Sequence, residues 1–155
     1  MGTPARTSII LGIQTALNTI SIANSYNTDV VTVDPFLRTR DDVDPGLRPY
    51  LAFGLGRETF EHQSFRNARI QAPLVIVGYI STDDWTAASS EINLLVDDVI
   101  ALINSDPTFG GNAVSTKLDG LETDEADPDR ASTTGWGCAF VMECTLTFFR
   151  DTTAS

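Results

Sequence analysis

Trp136-Gly137-Cys138-Ala139-Phe140-Val141-Met142-Glu143-Cys144-Thr145-Leu146-Thr147-Phe148-Phe149 alternates with a period of two. Trp136, Cys138, Phe140, Met142, Cys144, Leu146 and Phe148 fall on one face. Gly137, Ala139, Val141, Glu143, Thr145, Thr147 and Phe149 fall on the other. This alternation predicts a β-strand with one face in a core and one half-exposed. At about 3.3 Å per residue the strand spans roughly 45 Å, where strands usually hold about 5–6 residues. A strand so long must bend or run past its own domain, which points towards an assembly subunit.

Working outward, residues 119–135 just before it show no periodicity and read as a loop. They carry six acids (Asp119, Glu122, Asp124, Glu125, Asp127 and Asp129) before the only base, Arg130. A structureless loop of that length is uncommon in a compact domain and is usually functional or ordered by a partner. Ala113 to Leu121 reads as a strand, following a turn at Phe109-Gly110-Gly111. Further upstream, Trp85, Ala88, Ile92, Leu95, Val99 and Leu102 recur at helical spacing. The predicted helix is capped by Ser81-Thr82-Asp83-Asp84 and stopped by Asp106-Pro107. Leu74-Val75-Ile76-Val77-Gly78-Tyr79-Ile80 is apolar on both faces and predicts a central strand covered on each side.

Nearer the N-terminus, Thr3-Pro4 opens a helix with Ile9, Ile10, Ile13, Ala16, Leu17 and Ile20 on its stripe, ending near 23–27. Val30-Val31-Thr32-Val33 and Tyr50-Leu51-Ala52-Phe53 read as short strands. Between them, residues 34–49 are a proline-punctuated loop of mixed charge. Residues 57–69 read as a turn or hairpin tip. The sum predicts one domain over 1–155 of α+β class: a mainly antiparallel four- to five-stranded sheet with two helices on one face. Two helices cannot cover both faces, so neighbouring subunits are expected to bury part of the other.

Composition bounds the function. At 155 residues the chain can bury a self-sufficient core, and 42% hydrophobic with 20% charged residues is ordinary for a globular protein. The net charge of −11 argues against sequence-independent nucleic-acid binding. No apolar run reaches the roughly 18 residues of a membrane span, and the N-terminus matches neither a signal peptide nor a myristoylation pattern. Cys138 and Cys144, six apart on one strand, lie roughly 20 Å from each other and cannot form a disulfide. Both are expected to be buried, inert thiols.

Motifs for chemistry are missing. His62 is the only histidine and reads as a solvated residue in a polar run. Gly54-Leu55-Gly56 and Gly110-Gly111 lack the spacing of dinucleotide or phosphate loops, and Asp119–Asp129 lacks the register of a calcium loop. Asp97-Asp98 reads as a solvated helix face, and Trp85 and Trp136 as core. No cofactor is expected.

The chain resembles the tail terminator (tail-completion) proteins of long-tailed bacteriophages. The matching segments begin with the opening helix ending in Leu17-Asn18-Thr19-Ile20, the Val30–Val33 strand and Arg48-Pro49-Tyr50-Leu51-Ala52-Phe53. The Leu74–Ile80 strand and Val96-Asp97-Asp98-Val99-Ile100-Ala101-Leu102-Ile103 follow. Asp106-Pro107-Thr108-Phe109-Gly110-Gly111, Asp119-Gly120-Leu121-Glu122-Thr123-Asp124 and the long last strand complete the likeness. It implies a non-enzymatic virion subunit, made in the host cytoplasm, that forms a six-membered ring at the tail–neck junction. Such a ring ends tube polymerisation, meets the tail tube protein and the neck or connector proteins, and in contractile tails holds the last sheath layer. DNA is only cargo passing through its lumen. On this basis Arg38, Arg40 and Arg48 are candidates for a docking surface. The acids Asp119, Glu122, Asp124, Glu125, Asp127 and Asp129 are candidates for the lumen lining or for contact with a basic neighbour. Two other classes stay open: another neck or head-completion subunit, and a metal-dependent enzyme using the acidic loop 119–129.

Overall fold

The computed structural model describes residues 5–63, 67–124, 127–128 and 135–151. In chain order these form α1 (Ala5–Leu17), β1 (Thr32–Asp34), β2 (Tyr50–Leu55), β3 (Thr59–Gln63) and β4 (Asn67–Thr82). They continue with α2 (Trp85–Ser105), β5 (Ser115–Thr123), β6 (Asp127–Pro128) and β7 (Trp136–Asp151). The strands make one sheet in the order β1-β2-β4-β7-β5, with β3 also on β4 and β6 also on β7.

The class is α+β, but the sheet is larger than the expected four or five strands and is mixed. It holds seven strands among the described residues, and β1 runs parallel to β2. The extra strands come from stretches without a hydrophobic period. Thr59–Gln63 is an arm of a hairpin with β4, and part of the supposed acidic loop is β5 and β6. These edge strands are held by the backbone ladder, which leaves no mark on side-chain pattern.

At the centre, β4 and β7 pair antiparallel over sixteen positions without a shift, from Asn67 opposite Asp151 to Thr82 opposite Trp136. The great length of the last strand is therefore matched inside its own chain, and it does not run past its domain. β2 and β3 follow each other along the outer side of β4, and β5 and β6 do so along β7.

Helices α1 and α2 both pack on the same face of this sheet. Ile9, Ile13 and Leu17 of α1 and Ile92, Leu95, Val99 and Leu102 of α2 share one core with Leu74, Ile76, Phe140, Met142, Leu146 and Phe148. The predicted stripes thus face inward, at about 1.5–3 kcal/mol gross for each large side chain buried. Helix α1 ends at Leu17, before the expected 23–27, and a short 3-10 turn at Ile22–Asn24 follows. At the start of α2, Asp84 accepts from the backbone N–H of Thr86 at 3.0 Å, the cap that the sequence calls for.

On the far face, residues 34–49 fold back over the sheet. Val43 and Leu47 cover Tyr50, Ala52, Val77, Tyr79 and Ala139. The chain itself thus shields part of the surface that was expected to need a neighbour. Two further expectations fail. Asp98 is 2% exposed, not solvated, because its Oδ1 accepts the backbone N–H and the side-chain amide of Asn27 at 2.9 and 3.0 Å. Trp85 is 61% exposed, not core, and leans on Trp136 with ring centroids 6.5 Å apart. Its position in the first turn of α2 places it beyond the sheet end. No helix among the described residues is long and apolar enough to cross a membrane.

Candidate assembly surfaces

Of the three arginines of residues 34–49, Arg48 turns inward, while Arg38 and Arg40 stay partly exposed. Arg48 is buried, and its Nη2 donates to the carbonyls of Arg40 at 2.7 Å and Val43 at 2.8 Å. It closes the turn around Val43 and presents no docking surface. Arg38 pairs with Asp34 at 3.4 Å and donates to the carbonyl of Asp42 at 2.6 Å. Arg40 is half-buried. The rings of Tyr50 and Tyr79 stack beneath, 5.6 Å apart and nearly parallel. Tyr50 donates to Asp34 at 2.8 Å, and Tyr79 donates to the carbonyl of Arg38. Burial, then the bond to Asp34, push the Tyr50 hydroxyl above its ordinary value; burial does the same for Tyr79. Outward this segment offers two apolar side chains, Phe36 and Leu37, each at least half exposed, beside the exposed acids Asp41, Asp42 and Asp44. Sequence reasoning missed the two apolar residues because its attention went to the charges around them.

The acids are brought to one sheet edge. Asp119 sits on a bulge of β5 between Leu118 and Gly120, accepts from the Thr145 hydroxyl and lies 3.6 Å from Lys117. Glu122 stands opposite Val141. Asp124 ends the strand, with its N–H on the carbonyl of Ala139 and its own carbonyl accepting from the Cys138 thiol at 2.9 Å. Asp127 is in β6, in register with Gly137. Glu125 and Asp129 lie outside the described residues, as does the side chain of His62. Glu143 joins the group from β7, opposite Gly120, and was not singled out beforehand. Its place on the polar face of the last strand was the available signal.

A second gathering has no signal in the sequence, since its members are far apart there. Around β3, Glu58 accepts from Arg150 Nε at 3.0 Å and Nη2 at 2.6 and 2.8 Å, and from Arg6 Nη1 at 3.2 Å. Arg69 pairs with Glu61 at 3.0 Å, and Arg57 is exposed beside them. Four arginines against two glutamates make this end of the sheet basic, while Asp119, Glu122, Asp124 and Glu143 against Lys117 make the β5 edge acidic.

Among the described residues, no group of three or more His, Cys, Asp or Glu side chains is placed to hold a metal ion. Burial, with the charge of Asp119 beside it, pushes the Cys144 thiol up to about 12, so it stays protonated at neutral pH. A cleft of about 470 Å3 opens between α1 and the turn at 106–112. Its one carboxylate, Asp106, is engaged by the N–H of Gly110 at 3.0–3.1 Å. No protein-family model matches the chain, and a search of curated proteins finds no match.

Proposed function

We propose that this chain is a structural subunit of a long-tailed phage particle, of the tail-terminator kind. Copies join head to tail into a six-membered ring on the finished tail tube, end its polymerisation and offer a surface to neck or connector proteins, and to the last sheath layer where the tail contracts. One observation carries this reading. Among the described residues β1 and β3 bound the sheet on one side and β5 and β6 on the other, and of these β3 and β5 are the longest strands that pair along one side only. Each also displays a large apolar side chain, Phe60 at 57% and Leu121 at 49% exposure. Open edges with exposed apolar residues are a liability for a free monomer and a means of attachment for an assembling one. Two different edges on opposite sides suit a heterologous contact, the kind that generates rings.

The acids on β5 add a second role. An acidic bore repels phosphates, so duplex DNA slides through it without sticking. Phe36 and Leu37, near the start of residues 34–49, supply an apolar docking point for the tube or connector.

Electron microscopy of particles made without this protein tests the proposal. Overlong tails that fail to join heads are expected. Normal-length tails beside leaking heads would transfer the chain to the head-completion class, and unaltered particles would end the structural reading altogether.

A further inference from the structure

The two open edges differ in charge, and they match each other. Arg57 lies two residues before β3, and on the face away from the helices Arg69 lies one strand inside that edge, paired with Glu61 of β3, whereas the β5 edge carries Glu122 with Glu143 one strand inside. On the helix side, Phe60 of β3 stands opposite Ile70. On that same side of β5, Leu118, Leu121, Ile100 and Met142, with Asp119 and Gly120, line an open groove of about 230 Å3. A chain of net charge −11 would repel its own copies unless its few bases were gathered on one side. Four of its ten bases, Arg6, Arg57, Arg69 and Arg150, lie at the β3 end, where Glu58 and Glu61 offset two of them.

We infer that the β5 edge of one copy receives the β3 edge of a second copy, continuing the sheet from subunit to subunit. The inference rests on the ring reading above and names the surfaces that meet. Strand directions permit it. β3 opposes β4, β4 opposes β7 and β7 opposes β5, so β3 of a like-oriented neighbour runs antiparallel to β5. Phe60 then enters the largely apolar groove beside Leu121, and Arg57 and Arg69 come alongside Glu122 and Glu143. Backbone groups left open on each edge find partners in the other. β3 lies opposite residues 68–71 of β4, while β5 lies level with 71–78 of that strand. Joining the edges therefore offsets the copies along the strands, the stagger that a closing sheet requires.

Charge exchange tests the pairing. One variant carries Glu122→Arg with Glu143→Arg, the other Arg57→Glu with Arg69→Glu. Each alone should lose about tenfold or more in self-association by sedimentation, since like charges then meet at every junction. An equimolar mixture should recover wild-type assembly, because every junction in an alternating ring is again complementary. A mixture of folded variants that stays dissociated overturns the pairing, as does a wild-type chain still monomeric at about 1 mM. Should a charge variant fail to fold, the Phe60→Cys/Leu121→Cys double variant decides. Oxidation should give a ladder of disulfide-linked multimers that neither single variant forms. Normal assembly without that ladder places the interface elsewhere and leaves the ring reading standing. Normal tails in particles lacking the protein would instead defeat the ring itself.

Discussion

The ring of Phe140 lies over Gly78, its partner across the central strand pair, and fills the space a side chain there would need. A β-carbon on Gly78 would sit 2.1 Å from Cε1 of Phe140. This glycine serves close packing: the aromatic ring covers the backbone of the neighbouring strand on the buried face. Since β4 and β7 run through the middle of the sheet, the pair ties the two halves of the molecule together.

Gly78→Ala should therefore destabilise the fold by about 1–3 kcal/mol through overpacking. Urea denaturation should show a lower midpoint with an unchanged slope. Adding Phe140→Leu should recover part of the loss, so that the double variant is less damaged than the sum of the singles.

Arg48 gives a second expectation. Arg48→Met keeps the length of the side chain but strands the carbonyls of Arg40 and Val43. A cost of about 2–4 kcal/mol should follow, with faster proteolysis within residues 34–49. Arg48→Lys should recover only part, because a lysine lacks the planar fork.

Alkaline pH should unfold the protein through its tyrosines. Tyr50 and Tyr79 have folded values above the ordinary 10.0, so the unfolded chain releases these protons first. The stability they confer is whole below pH 10 and is lost as pH climbs above it. Thermal melts between pH 8 and 11 should fall at the alkaline end, and Tyr79→Phe should flatten that fall.

The thiols should be silent in the folded protein. Cys138 and Cys144 are both buried, and Cys144 titrates only towards about 12. A chromogenic disulfide reagent at pH 8 should find no reactive thiol at first and two after denaturation. The rate in native buffer should then follow unfolding. From pH 9.0 towards 12, Cys144 also contributes to the alkaline loss of stability, as its raised folded value dictates.

If Phe36 is a docking residue, Phe36→Ser should leave the melting temperature within a few degrees of wild type, because 55% of the side chain is already in water. Tail joining, scored by counting complete particles, should drop. Arg38→Glu with Arg40→Glu is a poorer probe, since Arg38 ties Asp34 to Asp42 and its loss loosens the whole segment.

Much of the architecture was legible because hydrophobic burial writes a period into the chain. The alternation from Cys138 to Phe148, the stripe from Ala88 to Leu102 and the two-faced run at 74–80 are each found where the pattern places them. The cap at Asp84 was legible for a local reason, a hydrogen bond two residues long.

What the sequence by itself determined, then, is most of which apolar residues are inside, Trp85 excepted, because the transfer of apolar surface out of water is a property of each side chain and its spacing. Only the tertiary structure decided which polar residues meet. Arg48 and Asp98 turned inward because folded backbone supplied their partners, the carbonyls of Arg40 and Val43 and the amides of Asn27. Arg6, Glu58 and Arg150 met because β4 and β7 pair along their full length and bring distant positions to one end. Directional bonds between groups far apart in the chain leave no period to read, and the charge division between the two sheet edges is of that kind.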